Sequence, residues 1–205
     1  MKQLLALTLV YLSITSTYGQ SEKEYVGKFF LSTSFQYYGA TVQEVTASET
    51  TIMLGYYPSE NLAIFGGTGL SRDKYSISTF EADGYHFIGG ASYFLLSEDN
   101  ESPINLTSTA GYQYTSLNGR MHNWMAIGTS VSHSVDFSYS FGLIPQVGVS
   151  YNSTSGSSSE FITRGNFLSY SIGVGIRTKT SIPTLAFHKF PDMAWSLSLG
   201  YAGLF

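Results

Sequence analysis

The chain has 205 residues, ten Lys/Arg against fourteen Asp/Glu for a formal charge of −4, and no cysteine. That balance argues against a nucleic-acid partner, which calls for a basic stripe. The missing thiols exclude disulfides, thiolate metal sites and a lipid-modified cysteine anchor. Met1-Lys2, the apolar run from Leu4 to Ile14 and the small-residue stretch Thr17-Tyr18-Gly19 read as an export signal over 1–19, cleaved before Gln20. The run is too short for a spanning helix of about 20 residues, so 20–205 is expected to be one exported domain. Charged residues are 12% of the chain and aromatics 16%, against about 25% charged in a soluble domain. Low charge, many Tyr, Phe, Gly, Ser and Thr, and no long apolar run suit a wall with one face to lipid and one to a polar lumen.

Strand alternation, in which successive side chains point to opposite faces, recurs along 20–205. Phe29, Leu31, Thr33, Phe35 and Tyr37 oppose Ser32, Ser34 and Gln36. Ile52, Leu54 and Tyr56 lead into a turn at Pro58-Ser59-Glu60-Asn61, and Leu62, Ile64 and Leu70 follow it. Tyr85 to Leu95 forms a fourth strand, ending in a polar turn from Ser97 to Pro103. Ile104, Leu106, Ala110, Tyr112 and Tyr114 then oppose Asn105, Thr107, Thr109, Gly111 and Gln113. Met125, Ile127 and Val131 mark a sixth strand. The seventh runs from Phe137 to Tyr151, with Gln146 on its polar side. The eighth carries Leu168, Tyr170, Ile172, Val174 and Ile176 against Ser169, Ser171 and Arg177. These runs of about 10 to 14 residues exceed the usual 5 or 6 and match the 9 to 11 that cross a bilayer. The outer loops are expected at about 40–49, 72–83, 117–122 and 152–165.

The last strand alternates cleanly, with Trp195, Leu197, Leu199, Tyr201 and Phe205 on its greasy parity. A terminal strand ending in Phe resembles the C-terminal assembly signal of Gram-negative outer-membrane β-barrels. Both termini of such barrels lie in the periplasm, so the strand count is even. An even count needs one more strand, and Ile182–His188 is the candidate, although Pro183 removes a ladder donor. The expected fold is therefore all-β: a single antiparallel up-and-down transmembrane β-barrel of ten strands, with eight as the alternative.

Gly55-Tyr56-Tyr57-Pro58-Ser59-Glu60-Asn61-Leu62-Ala63-Ile64 resembles the Gly-Tyr-Phe, polar turn, Asn-Leu-Ala-Leu pattern of the outer membrane protein β-barrel domain families, the small OmpA- and OmpX-like barrels. Ser92-Tyr93-Phe94-Leu95 and Pro191-Asp192-Met193-Ala194-Trp195 are looser echoes. The resemblance implies residence in the outer membrane, contact with its lipid and lipopolysaccharide, and delivery by the barrel-assembly machinery. It implies no cofactor, and it names no extracellular partner.

Candidate chemistry is sparse. His86 with Asp83 and Glu81 is weighed as a rim catalytic pair, but positions 83 and 86 differ in parity, and a plain rim histidine is the expected reading. No Gly-x-Ser-x-Gly elbow is present. His133-Ser134 with Asp136 fits a turn. Asp73, Glu81 and Asp83 lack calcium-loop spacing, and the glycine pairs 66–67 and 89–90 lie in strands, away from any phosphate-binding turn. The expected lumen is small and polar, lined by Gln36, Gln113 and Gln146, with Arg177 its one clear charge. It is too narrow for a diffusion porin. The function expected is a non-enzymatic barrel with a structural or surface-interaction role. The alternatives are a narrow porin-like channel for small solutes, a secreted soluble lipocalin-like barrel with its apolar parity inward, and an enzyme at the rim.

Overall fold

A computed structural model describes residues 26–40, 45–75, 81–97, 102–138, 140–156, 165–179, 181–190 and 194–204. The expected export signal at 1–19 lies outside them, as does Phe205. The strands are β1 (Phe29–Ala40), β2 (Val45–Ser59), β3 (Leu62–Tyr75), β4 (Glu81–Leu96), β5 (Asn105–Leu117), β6 (Arg120–Ser132), β7 (Val135–Ser138), β8 (Phe141–Gly156), β9 (Gly165–Arg177), β10 (Ser181–Lys189) and β11 (Ala194–Leu204). Each wall strand pairs antiparallel with its neighbours, β1 meets β11 from Phe30↔Leu204 to Ala40↔Ala194, and β6 meets β8 from His122↔Gly156 to Ser132↔Gln146. The sheet therefore closes on itself as a barrel of ten strands. The start of β1 and the end of β11 share one rim, here the terminal end; the opposite rim is the far end.

The eleventh segment, β7, is not a wall strand. It continues β6 along the same edge of β8, through Val135↔Leu143 and Asp136↔Gly142. The β5 ladder stops at Asn105↔Ser132, so the β7–β8 hairpin projects past the terminal rim. The sequence suggested one unbroken strand from Phe137 to Tyr151. The chain instead reverses between Ser138 and Phe141, inside a run that alternates straight through the turn and contains no Gly, Pro or Asn there. The weak segment at 182–188 is a full wall strand, β10. Its Pro183 pairs with Tyr201 of β11, while the β9 ladder begins one residue later, at Thr184↔Gly175. Proline sits where the pairing with β9 has ended.

Strands also run further than the expected loops allowed: β2 begins at Val45, β3 reaches Tyr75 and β4 starts at Glu81. The polar residues there follow the alternation into the barrel and are not loop residues. The apolar parity points out: Leu31, Phe35, Ile52, Leu54, Ile127, Ile172 and Leu199 are all exposed. This is the reverse of the lipocalin-like arrangement. Trp195 is half-buried and Leu197, Leu199 and Tyr201 are exposed on the same outer face. Aromatic clusters mark both ends of that face. Tyr37, Trp195 and Phe187 gather toward the far end with centroids 6.1 and 6.4 Å apart, and Phe29 with Tyr56 lies at the terminal end, 4.9 Å apart.

Candidate functional site

Inside the barrel three zones can be told apart. The first is apolar and belongs to the terminal half. Phe30, Met53, Tyr57, Phe65, Phe94, Ile144 and Ile182 form one buried cluster with small neighbours. Rings link across it, Phe30 to Tyr57 at 5.4 Å and Tyr57 to Phe94 at 6.3 Å. These side chains come from the inward parity of β1–β4, β8 and β10. They occupy most of the cross-section, because a barrel of about this size has an interior that side chains nearly fill.

Above this layer, on the β1–β4 wall, lies a charged and polar knot. Glu49 accepts from Ser71 Oγ at 2.7 Å through Oε1 and from Tyr38 OH at 3.1 Å through Oε2. His86 is fully buried, with Nδ1 2.9 Å from Ser71 Oγ and Nε2 3.0 Å from Thr51 Oγ1. Ser71 has one proton, and it goes to Glu49. In a neutral imidazole, Nδ1–H therefore donates to Ser71, and Nε2 accepts from Thr51. His86 Nδ1 stands 3.9 Å from Glu49 Oε1. Room for the ring comes from Gly69, its cross-strand partner. A Cβ on Gly69 would lie 2.5 Å from His86 Nε2 and 2.0 Å from the Thr50 carbonyl oxygen.

The knot corrects two sequence expectations. His86 is not a rim histidine: it is packed inside the wall. Arg177 is not the one inward charge, because Glu49 and Asp73 are also buried on the inner face. Both had been placed in outer loops, and the signal that would have found them was the alternation of Ala47, Glu49, Thr51 and Met53 continued outward. Asp83 is on the outer face, paired with Arg72 at 2.7 Å, so it joins neither His86 nor Asp73. Among the described residues no group of three His, Asp or Glu side chains is placed to hold a metal ion. His133 is at the break between β6 and β7, its N–H donating to the Pro145 carbonyl at 3.2 Å.

The third zone is the β5–β6–β8 wall, mostly polar, with Trp124 of β6 and Ile144 of β8 as its large buried apolar side chains. Gln113 and Gln146 are buried there, and Gln36 on β1 is buried with Nε2 donating to Ser196 Oγ at 2.7 Å. Asn152 donates to Ser169 Oγ at 2.8 Å and accepts from Trp124 Nε1 at 3.2 Å. Arg177 lies at the terminal rim in an ion pair with Asp136 of β7. Gly142 permits that pair, since a Cβ would fall 2.6 Å from Asp136 Oδ1.

Chemically, the knot is a closed network. Both Glu49 oxygens and both His86 nitrogens have partners, and Ser71 donates to the carboxylate, whereas an activated nucleophile would donate to a histidine acting as its base.

No family model and no curated protein matches the chain. Solved structures do resemble it. The β domain of the Bordetella autotransporter BrkA is 11% identical, covering 88% of this chain and 100% of its own, with a TM-score of 0.55. The translocator domain of the autotransporter NalP from Neisseria meningitidis is 11% identical over 98% of this chain and 100% of its own, with a TM-score of 0.48. The outer membrane protein OprG from Pseudomonas aeruginosa is 9% identical over 88% of this chain and 96% of its own, with a TM-score of 0.37. At such identities the likeness is one of fold, and the BrkA match carries it. The chain has a closed β-barrel fold of the outer-membrane type. The likeness extends to barrels of several kinds and does not single out the OmpA- and OmpX-like families that the turn motif suggested.

Proposed function

We propose that the protein is a small integral outer-membrane β-barrel, non-enzymatic, with a structural or surface-interaction role. The observation that carries this is the sidedness of the wall. Large apolar residues cover the outside between two aromatic clusters, while the inside carries one apolar layer and otherwise mainly Ser, Thr, Gln and Asn. A soluble barrel exposing Leu70, Ile52, Ile172 and Phe187 together would be an aggregation hazard, whereas in hydrocarbon the same surface is at home. With an even strand count, the terminal end is periplasmic and the far end faces outward. Membrane lipid and lipopolysaccharide are then the neighbours of the outer face, with the barrel-assembly machinery as the transient partner of biogenesis.

The closed hydrogen bonding of Glu49, Ser71 and His86 supports the non-enzymatic reading, and the apolar layer below them supports a lumen shut to ions. Membrane fractionation with a heat-modifiability gel is the test. The protein is expected in the outer-membrane fraction, with a mobility shift on boiling. Recovery as a soluble protein without detergent would overturn the reading.

A further inference from the structure

Two of the turns at the terminal end present polar side chains: Pro58, Ser59 and Glu60 are exposed between β2 and β3, and Lys179 between β9 and β10. The β7–β8 hairpin at the same end presents rings. Phe137 is 62% exposed and Phe141 44%, with Val135 exposed beside them. The two rings pack against each other with centroids 5.8 Å apart, and nothing else covers them among the described residues.

The ladders show which way these rings face. β8 keeps one register along β9 from Gly142 to Thr154, so Phe141 shares the outer face with Leu143, Val147, Val149 and Tyr151. Val135 lies across from Leu143, and Leu143 across from Ile176. These three form the last outward apolar row that spans β7, β8 and β9, and the ring pair makes a further row beyond it. The reverse side of the hairpin is charged, with Asp136 tied to Arg177 over the bare position of Gly142. The hairpin therefore has one apolar face, flush with the outer wall, and one charged face turned inward.

We propose that the outer face of the β7–β8 hairpin is an interfacial anchor, with Phe137 and Phe141 seated among the carbonyls and headgroups of phospholipid in the periplasmic leaflet. Lipid is the occupant because the rings continue, on the same strand and the same face, the wall that faces lipid in the outer-membrane reading. A two-sided surface of this kind settles at the boundary of headgroups and acyl chains, as amphipathic surface helices do. Val135, Phe137, Phe141 and Leu143 bear no charge, so the contact is apolar and indifferent to lipid charge. The β8–β9 ladder and the Asp136–Arg177 pair order the hairpin before it meets lipid, so little conformational freedom is lost on contact. Standing on one side of the barrel, the anchor fixes the depth of that side in the bilayer.

The inference rests on the outer-membrane reading, and the two fail separately. Trp124→Phe with Trp195→Phe removes both native indoles, and Phe137→Trp or Phe141→Trp then supplies a single reporter that keeps a ring in place. Each chain is folded into phosphatidylcholine vesicles, with insertion scored by the mobility shift on boiling. The emission is expected to lie to the blue of tryptophan in water. It is expected to be quenched by phosphatidylcholine brominated near the carbonyl end of its acyl chains, equally in low and high salt. Because the chain has no cysteine, Phe141→Cys carrying a nitroxide gives a second reading in an otherwise unaltered protein. Its relaxation by dissolved oxygen is expected to exceed that by a water-soluble nickel chelate, and the reverse order overturns the proposal. Folded protein with water-like, unquenched emission overturns it as well. So does blue emission without quenching, which means that a second copy or another protein surface covers the rings, and so does quenching that is lost in high salt. A wild type that fails to shift on boiling overturns the membrane reading itself.

Discussion

Gly69 leaves its inward space to the imidazole of His86, so the least of side chains there has a large effect. In Gly69→Ala the new Cβ meets the Thr50 carbonyl at 2.0 Å and the His86 ring at 2.5 Å, and neither can give way without moving wall or knot. Overpacking of this kind costs about 1–3 kcal/mol, read as a lower urea midpoint for unfolding from lipid vesicles. Glu49→Ala is expected to lose a similar amount, because Ser71 and Tyr38 are left buried without their acceptor. Glu49→Gln keeps an acceptor oxygen and should lose less. A Glu49→Ala midpoint equal to wild type would show that the knot contributes nothing to stability. None of this was legible as a site. The residue types were visible, but Glu49 and Asp73 seemed to lie beyond the strand ends, and a side chain assigned to a loop has no inward or outward face. His86 had the correct parity; what could not be read was that Gly69, across the ladder, makes a place for it.

The ten-strand wall was largely readable, because alternation is written into every strand and an even count required β10. Pro183 made that strand look doubtful, yet it falls where the β9 ladder is absent and removes no bond from it. The β7–β8 hairpin was not readable: parity is preserved from Phe137 to Phe141, so the pattern of outward rings looks the same with or without a reversal. Its bracing is testable. Arg177→Ala removes an ion pair whose Asp136 side is half exposed, and a loss of no more than about 1 kcal/mol is expected. Gly142→Val drives a side chain into Asp136 Oδ1 and the Val135 carbonyl. It should cost more than Arg177→Ala, about 1–3 kcal/mol, in the same urea titration. The reverse order would mean that the charge pair, and not the close backbone approach, fixes the hairpin.

For the whole molecule, inside and outside are the point that alternation leaves open, since a lipocalin-like barrel has the same period. Closure settles it by putting the small polar parity on the concave side, where ten strands leave no room for rows of Leu, Ile and Tyr. The consequence can be measured at Leu199, near the middle of β11 and 53% exposed. In a bilayer, Leu199→Arg should cost about 2–4 kcal/mol, the penalty for arginine at the midplane of a barrel wall. The same change on a soluble barrel would leave stability nearly untouched. A second substitution, Ile172→Arg on β9, samples the opposite side of β10 and should behave alike.

Several bare positions of the wall lie directly across a ladder from a ring: Gly55 from Phe30, Gly39 from Trp195, Gly90 from Phe65 and Gly69 from His86. In each case the ring covers the place of the missing Cβ. Sliding a strand by two residues keeps every side chain on its proper face, so hydrophobic patterning alone does not forbid it. These couples do. Shifted by two, Phe30 would meet Met53 or Tyr57, and Phe65 would meet Ile88 or Ser92, with no gap to receive it. The β1–β2 and β3–β4 hairpins thus carry their own alignment marks, the closing seam between β1 and β11 carries another in Gly39 and Trp195, and a neighbour misaligned by two is rejected by shape.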